Sequence, residues 1–403
     1  MFKKIFKSIL SQANINNFYH LPKAFLANIL YGFPTRKMIV IGITGTDGKT
    51  TTTNMIYQIL NSASKKASMI STINAEIGGK SYDTGFHVTS PDPFMIQNFA
   101  KKAVDSGDKY LVLEVTSHGL DQFRFWGIKF DTGVITNITH EHLDYHKTFE
   151  NYKNTKLKLI KNTKFAIVNQ SIEGARSLGK VITFGLKIGD FTQRQIKLKL
   201  KIPGDYNIEN GLAAMAAVTS LGIDLNIARK SLENFKGLKG RMEEIKNKKG
   251  IKIYIDFAHT PNGLENALTT LRSRTLGRKL IAVFGAASQR DILKRPIMGE
   301  ISGRLADITI LTAEDPRFED SNKIIEEIAA GVYSKDKSLG KNLYKEPDRQ
   351  KAINLSISLA RKGDIIGIFG KGHELSMNLD GKKEIPWSDF EAVKEALDGQ
   401  KGR

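Results

Sequence analysis

The chemistry in this sequence is densest at Lys49-Thr50-Thr51, reached through Gly45-Thr46-Asp47-Gly48. Glycines let backbone N–H groups turn toward phosphate oxygens. A lysine beside them reaches the outer phosphates, and a neighbouring hydroxyl holds a magnesium ion. The spacing departs from the general G-x-x-x-x-G-K-[ST] pattern, because its first glycine would fall on Ile43 and the chain has Gly42 instead. A second candidate is Glu114, which closes the apolar run Tyr110-Leu111-Val112-Leu113. A carboxylate at the C-terminal end of a parallel strand sits where open α/β sheets bind ligands, and next to a phosphate loop it suits magnesium. The third is Thr139-His140-Glu141-His142-Leu143-Asp144-Tyr145-His146. It lacks zinc-protease spacing, since the second histidine would have to stand at Asp144. His142 and His146 are four apart, on one face if helical. Placed just after the strand that ends near Thr136-Asn137, the cluster reads as a metal site.

These residues need elements to hold them. The apolar run 38–43 reads as a strand leading into the glycine-rich turn, and residues 54–60 read as the following helix. Further runs at 110–113, 133–136 and 166–168 alternate with helical stretches, which argues for a parallel sheet covered by helices. Residues 196–204, where Lys alternates with apolar residues, read as an exposed antiparallel strand, and 207–221 as an alanine-rich helix. A second series of strand-like runs follows at 251–255, 280–284, 308–311 and 365–369. The Gly- and Lys-rich stretch 235–249 reads as the joint. The expected fold class is α/β: two α/β domains in series, a P-loop central domain with a mostly parallel sheet at 38–238 and a C-terminal domain at 239–403, which the family resemblance described below implies is Rossmann-like. A short helical segment at 1–37 precedes them.

The chain has 403 residues, 40% hydrophobic and 26% charged, as in a globular protein with ample core. It contains no cysteine, which excludes disulfides and thiolate zinc sites. The net charge of +19 favours acidic partners such as nucleotides, sugar phosphates or an anionic membrane surface. The lysines are spread rather than clustered with aromatics, so no nucleic acid partner is expected. At the N-terminus, Phe2, Ile5, Phe6, Ile9 and Leu10 share one helical face opposite Lys3, Lys4 and Lys7. No run there reaches the roughly 20 residues of a membrane span, and no signal-peptide core follows. Such a helix either lies on an anionic bilayer, giving peripheral membrane contact through residues 1–30, or docks on its own domain. Leu21, Phe25, Leu26 and Ile29 form a second apolar face before Gly32 and Pro34.

Taken together, the motifs resemble those of the Mur ligase family, ATP-dependent amide-forming enzymes of cell-wall peptide assembly, and within it the MurE type. The blocks run in order: GITGTDGKTTT, TSPDP, EVTSHGLDQFR, TNITHEHLDYHKTFENYKNTK, NIENGLAA, GRMEEI, DFAHTPNGLENAL, KRPIMG, EDPRFED and GKGHE. The family's own phosphate loop also carries the Gly42 offset. The resemblance implies that ATP phosphorylates a substrate carboxylate and that an amino acid's amine attacks the acyl phosphate, with Mg2+ and Lys49 screening the anions. By position, Gly45, Thr46, Asp47, Gly48, Lys49, Thr50 and Thr51 would bind ATP together with Asn207, Asn210, Arg241 and Asp256. Thr50, Glu114 and His142 would hold magnesium. Lys156 matches the family's carbamylated lysine, a further magnesium ligand. Read from its neighbours Lys153, Lys158 and Lys161 alone, it belongs to a solvated face. Thr89, Ser90, Ser117, Gln122 and Arg124 match positions that hold the muramoyl-peptide. Asp315, Arg317, Gly370 and Glu374 match those that hold the amino acid.

Two departures bear on the substrate. The MurE-type motif D-N-P-R, which reads meso-diaminopimelate, is Glu314-Asp315-Pro316-Arg317 here. The arginine suits a second carboxylate, so diaminopimelate is expected ahead of lysine. Residues 1–37 are also too few for the domain that binds the uridine diphosphate end of the substrate. The acceptor is therefore expected to be a nucleotide-sugar peptide held by the remaining contacts or by a partner protein, or else a lipid-linked muramoyl-peptide. A MurT-like amidating subunit is the alternative, weakened by the lack of a cysteine zinc ribbon. A non-catalytic nucleotide-binding regulatory protein is the alternative of another class. The expected location is cytoplasmic, with or without contact at the inner membrane face.

Overall fold

The computed structural model describes residues 12–82, 90–288, 291–333, 335 and 337–399. Residues 1–11, and with them the Phe2 to Leu10 face, lie outside the described residues. Contacts divide the chain into two compact units. The first takes residues up to 140 with 146–201 and 205–235, and the second takes 141–145, 202–204 and 236–403.

The first unit opens with helical residues Gln12–Ile15 and Asn16–His20, then helix α1, Leu21–Tyr31. Gly32 ends α1 in the left-handed conformation, at φ 69°. Of the apolar face read from the sequence, Phe25, Leu26 and Ile29 are exposed, while Ala24, Ala27 and Asn28 are buried. The small residues allow a close approach, which the large ones would prevent.

Strand β1, Ile39–Thr44, is buried beyond its first residue. Its β-branched run suits a strand covered on both faces. After it come α2, Lys49–Ser62; β2, Ala67–Ile70; β3, Ala75–Ile77; and β4, Lys80–Tyr82. Then follow α3, Pro93–Asp105; β5, Tyr110–Glu114; α4, Ser117–Asp121; and β6, Thr132–Ile135. The sheet is completed by β7, Phe165–Asn169; β8, Val181–Gly185; and β9, Phe191–Thr192. Its order is β4-β3-β2-β5-β1-β6-β7-β8-β9. Pairing is parallel except at β2–β3 and β3–β4. Because β5 and β6 flank β1, the direction of winding changes at β1, and a crevice opens at its carboxyl end. Short helices α5, Leu143–His146, and α6, Phe149–Leu157, lie between β6 and β7.

The strand expected at 196–204 does not form. Residues Gln193–Ile196 make a turn of helix, α7, capped by Thr192, and Lys197 follows at φ 52°. The Gln193 side chain then bonds both the N–H and the C=O of Leu198. That side chain takes the place of a partner strand. The expected alanine-rich helix is α8, Asp205–Ser220, and α9, Leu225–Glu233, follows.

The second unit holds a sheet ordered β10-β11-β15-β12-β13-β14. Its strands are β10, Glu243–Ile245; β11, Lys252–Asp256; β12, Leu280–Phe284; β13, Ile308–Leu311; β14, Leu343–Lys345; and β15, Ile365–Phe369. All pair parallel except β10, which runs antiparallel on the edge. The stretch expected as a joint thus supplies an edge strand. Helices α10, Pro261–Arg272; α11, Lys294–Leu305; α12, Ser321–Tyr333; α13, Arg349–Leu359; and α14, Asp389–Asp398 cover the sheet. Ile253, Ile255, Ile281, Val283, Ile366 and Ile368 form its core against Ile353 and Val393. Among the described residues, no helix is long and apolar enough to cross a membrane.

Candidate active site

The turn after β1 is held from several sides. Thr46 N–H donates to the Asn137 carbonyl at 3.0 Å, and Asp47 N–H to Asn137 Oδ1 at 2.9 Å. Thr136 Oγ1 donates to the Asp47 carbonyl at 2.6 Å, and Thr46 Oγ1 meets the Tyr152 hydroxyl at 3.0 Å. Gly48 sits at φ 81°, where a Cβ would lie 2.2 Å from Asn210 Oδ1. Only glycine satisfies both the conformation and that approach. Gly48 stands at the N-cap of α2, and among the described residues no side chain caps its first turn. Its N–H groups and partial positive charge therefore suit an anion, and this cradle fits phosphate.

Lys49 Nζ donates to the carbonyls of Gly45 and Thr46 at 3.1 and 2.8 Å. Thr50 Oγ1 donates to Glu114 Oε1 at 3.1 Å, and Thr72 N–H to Glu114 Oε2 at 2.8 Å. Thr50 and Glu114 are both buried. Two buried oxygen donors beside a phosphate cradle are a donor set that fits Mg2+. Asn210 reaches the same region, accepting from Thr52 Oγ1 at 3.3 Å and donating to Asn207 Oδ1 at 3.4 Å.

Lys156 is the largest departure from its local sequence. The lysines around it mark a solvated face, yet Lys156 is 1% exposed. Its Nζ donates to the Gly45 carbonyl at 2.7 Å and lies 4.5 Å from the centre of the Tyr152 ring. The aromatic face and the turn's carbonyl hold the cation away from water.

The histidine cluster is not gathered as the spacing expects. His142 stands at φ 59° outside the single turn Leu143–His146, so it shares no helix face with His146. The His146 ring packs edge-on against His118 at 5.6 Å and tilts against Tyr152 at 5.3 Å. Among the described residues, no three His, Asp or Glu side chains converge in a metal cluster.

A second group in the first unit surrounds the start of α4. Ser90 Oγ meets Thr116 Oγ1 at 2.8 Å, and Thr116 caps α4 by accepting from Gly119 N–H. Ser117 is buried. Arg124 donates to Gln122 Oε1 through Nε and Nη2, and to the Ser90 carbonyl through Nη1. Thr89 lies outside the described residues.

In the second unit, Asp256 accepts from Met242 N–H at 2.6 Å and Ala258 N–H at 2.8 Å, which ties β11 to the turn before β10. The Arg241 guanidinium lies 4.4 Å over the Phe257 ring. Farther along, Lys371 is fully buried and bridges Asp315 Oδ1 at 3.1 Å and Glu374 Oε2 at 2.5 Å. These two carboxylates raise its pKa against burial, which acts to lower it. Asn378 N–H also donates to Asp315 Oδ1 at 3.0 Å, and the Arg317 N–H donates to the Asn378 carbonyl at 3.1 Å. The Arg317 Nε is buried and meets no hydrogen-bond partner among the described residues. Gly370, at φ 107°, leaves room for Glu314, whose Oε2 would stand 2.7 Å from a Cβ there.

Glu314 is fully enclosed, and burial pushes its carboxyl up to about 7 although Lys294, Lys371 and Arg349 all act to lower it. Those cations face other partners. Arg349 forks onto Asp389 at 2.8 Å through both Nε and Nη2, Lys371 bridges its own two acids, and Lys294 pairs with Glu141 at 3.3 Å. Sequence reasoning passed over Asn137, Tyr152, Thr116 and Lys371. Asn137 and Thr116 carried a signal, since each is a polar residue just past a strand end at the ligand edge of the sheet. Tyr152 and Lys371 act through burial that no local pattern encodes.

A model of the Mur ligase middle domain matches residues 43–197, and one of the Mur ligase glutamate ligase domain matches 240–372. The chain is 38% identical to a UDP-N-acetylmuramoyl-L-alanyl-D-glutamate--2,6-diaminopimelate ligase of Clostridium tetani, over 93% of this chain and 81% of that protein. The ligase of the same name from Aquifex aeolicus is 38% identical, over 93% of this chain and 80% of its own. A solved structure of a ligase with this name covers 90% of the chain and 79% of its own, with 28% identity and a TM-score of 0.56. A folylpolyglutamate synthase of Mycobacterium tuberculosis shares the fold, with a TM-score of 0.69 at 17% identity over 87% of this chain and 92% of its own.

Proposed function

The chain belongs to the Mur ligase family, whose members form amide bonds using ATP, and from that premise we propose that it adds meso-diaminopimelate to a muramoyl-dipeptide. The observation that carries the reading is the meeting of Lys49, Thr50, Glu114 and Lys156 around one turn. The names of the relatives supply the substrate class.

The acceptor's carboxylate oxygen attacks the γ-phosphorus of ATP, and the bond to the β-phosphate oxygen breaks to release ADP. The neutral amine of the incoming amino acid then attacks the acyl-phosphate carbon. The tetrahedral intermediate expels phosphate and loses the amine proton, leaving the amide. Two anions must approach in the first step, so fixed positive charge lowers its barrier. Lys49 supplies that charge at the outer phosphates, and the N–H groups of α2 hold the phosphate chain. Thr50, Glu114 and His142 would hold Mg2+, which supplies further charge screening when bound. Lys156 would join them as a carbamate, formed when its neutral amine adds to carbon dioxide and loses a proton.

Asn207 and Asn210 take the adenine side, Arg241 the phosphates and Asp256 the ribose. Ser90, Ser117, Gln122 and Arg124, with Thr89, take the muramoyl-peptide. Arg317 receives the distal carboxylate of the amino acid and Glu374 its ammonium, with Asp315 and Gly370 completing the pocket. The three regions 1–37, 38–238 and 239–403 divide these tasks, the last bringing the amino acid. The reaction belongs in the cytoplasm, where ATP is supplied. The carrier on the acceptor is a uridine diphosphate or a lipid.

Phosphate release from ATP, measured with the muramoyl-dipeptide on either carrier, tests the reading. Release that depends on diaminopimelate is expected. Release with ammonia alone would replace ligation by amidation, and no acceptor-dependent release would overturn the reading.

A further inference from the structure

The loop that follows β13 carries Asp315 and Arg317, and it is pinned on both sides of Arg317. On the near side, Asp315 Oδ1 accepts from Lys371 Nζ at 3.1 Å and from Asn378 N–H at 3.0 Å, and the Asp315 carbonyl accepts from Ser288 N–H at 2.9 Å. On the far side stands Glu319. The guanidinium of Arg295 forks onto it, Nη1 to Oε1 at 2.7 Å and Nη2 to Oε2 at 2.8 Å, and Nη1 also donates to Glu327 Oε2 at 2.6 Å. Arg295 is buried. Between the two anchors Arg317 is held at φ 50°, a conformation that a residue with a side chain adopts where its surroundings impose it.

The base of this clamp is rigid. Arg295 lies on α11 and Glu327 on α12, and these helices meet through glycines. A Cβ on Gly299 would stand 1.9 Å from the Ile328 carbonyl oxygen, and one on Gly331 1.9 Å from that of Pro296. Only glycine lets two backbones approach this closely. A buried ion pair adds little stability, because desolvation offsets its attraction, but a two-point fork fixes where both partners lie. What the fork fixes here is the far end of the loop that aims Arg317. The Arg317 Nε is buried with no hydrogen-bond partner among the described residues, so the loop leaves a donor open to a ligand.

We propose that Arg295 is a positioning residue for amino-acid selection: through Glu319 it holds the loop 315–319 so that Arg317 faces the distal carboxylate of the incoming amino acid. Arg295 itself touches no substrate. The proposal deepens the ligase reading and rests on it for the role of Arg317. A lysine at position 295 keeps the charge and loses the fork.

Steady-state phosphate release tests this, with the KM for diaminopimelate and the KM for ATP read separately. Arg295→Lys is expected to raise the KM for diaminopimelate about tenfold or more, and to leave kcat and the KM for ATP within about twofold of the parent. Glu319→Ala opens the same fork from the loop side and leaves Arg295 paired with Glu327. It should give the same split, and it decides the matter if Arg295→Lys does not fold. In an Arg317→Met background, Arg295→Lys should lower kcat/KM for diaminopimelate less than about twofold further, because the residue it acts through is gone. A purely structural role would give the same loss in both backgrounds, or an equal rise in the KM for ATP, and either result overturns the proposal. So does a KM for diaminopimelate that neither variant moves, while the parent's turnover keeps the ligase reading standing. A parent chain without diaminopimelate-dependent release would fail that reading and this role with it.

Discussion

Lys156 is buried beside the phosphate turn. Its ammonium shares the Gly45 carbonyl with that of Lys49, so two cations meet one oxygen beside the phosphate cradle. If Lys156 is carbamylated, Lys156→Ala should reduce ligation at least 100-fold while leaving the fold intact. Added short-chain carboxylate should restore part of the rate, by supplying the oxygens the carbamate provided. Steady-state phosphate release reads both effects, and near-parental activity in the mutant would remove the carbamate from the mechanism.

Glu314 makes a prediction of a different kind. Its ordinary pKa of 4.5 rises to about 7 in the folded state, so the folded chain binds more protons than the unfolded chain in between. The stability tied to the neutral acid is therefore present below about 4.5 and lost as pH rises through about 7. The difference is on the order of 3 kcal/mol between those limits. Glu314→Gln should gain stability relative to the parent at pH 8 and not at pH 4. Urea midpoints at the two pH values would show it.

Elements place these residues, and some of that placement was legible in the sequence. The run into the glycine turn, the strand ending in Glu114 and the strands at 280–284, 308–311 and 365–369 follow from apolar runs bounded by turn residues. The segment 196–204 misled because alternation alone does not supply a partner strand, and the Gln193 side chain satisfied its backbone instead. Lys156 misled because its burial depends on Tyr152 and on a carbonyl 111 residues away. Two element-level tests follow. Gly48→Ala strains a positive φ and drives a methyl group toward Asn210, so nucleotide affinity should fall at least tenfold in a titration. Arg349→Met leaves Asp389 buried without its partner, and chemical denaturation should show a loss of roughly 3–5 kcal/mol.

At the scale of the whole molecule, ligand binding should appear as stability. A nucleotide that binds only the folded chain adds about 2.7 kcal/mol at 100 times its Kd. Thermal melts with ATP and magnesium should therefore rise, and Lys49→Ala should abolish the rise without lowering the melting temperature of the protein alone.

The outward setting of Leu26 and Leu30 on α1 has a consequence of its own. The helix is fastened by Ala24, Ala27, Asn28 and Lys23, and by Phe25, which packs edge-on against Trp126 at 5.3 Å. Leu26 and Leu30 are more than half exposed, so polar replacements there should cost the fold little. That side of the helix can therefore vary residue by residue while the phosphate turn and its chemistry stay as they are.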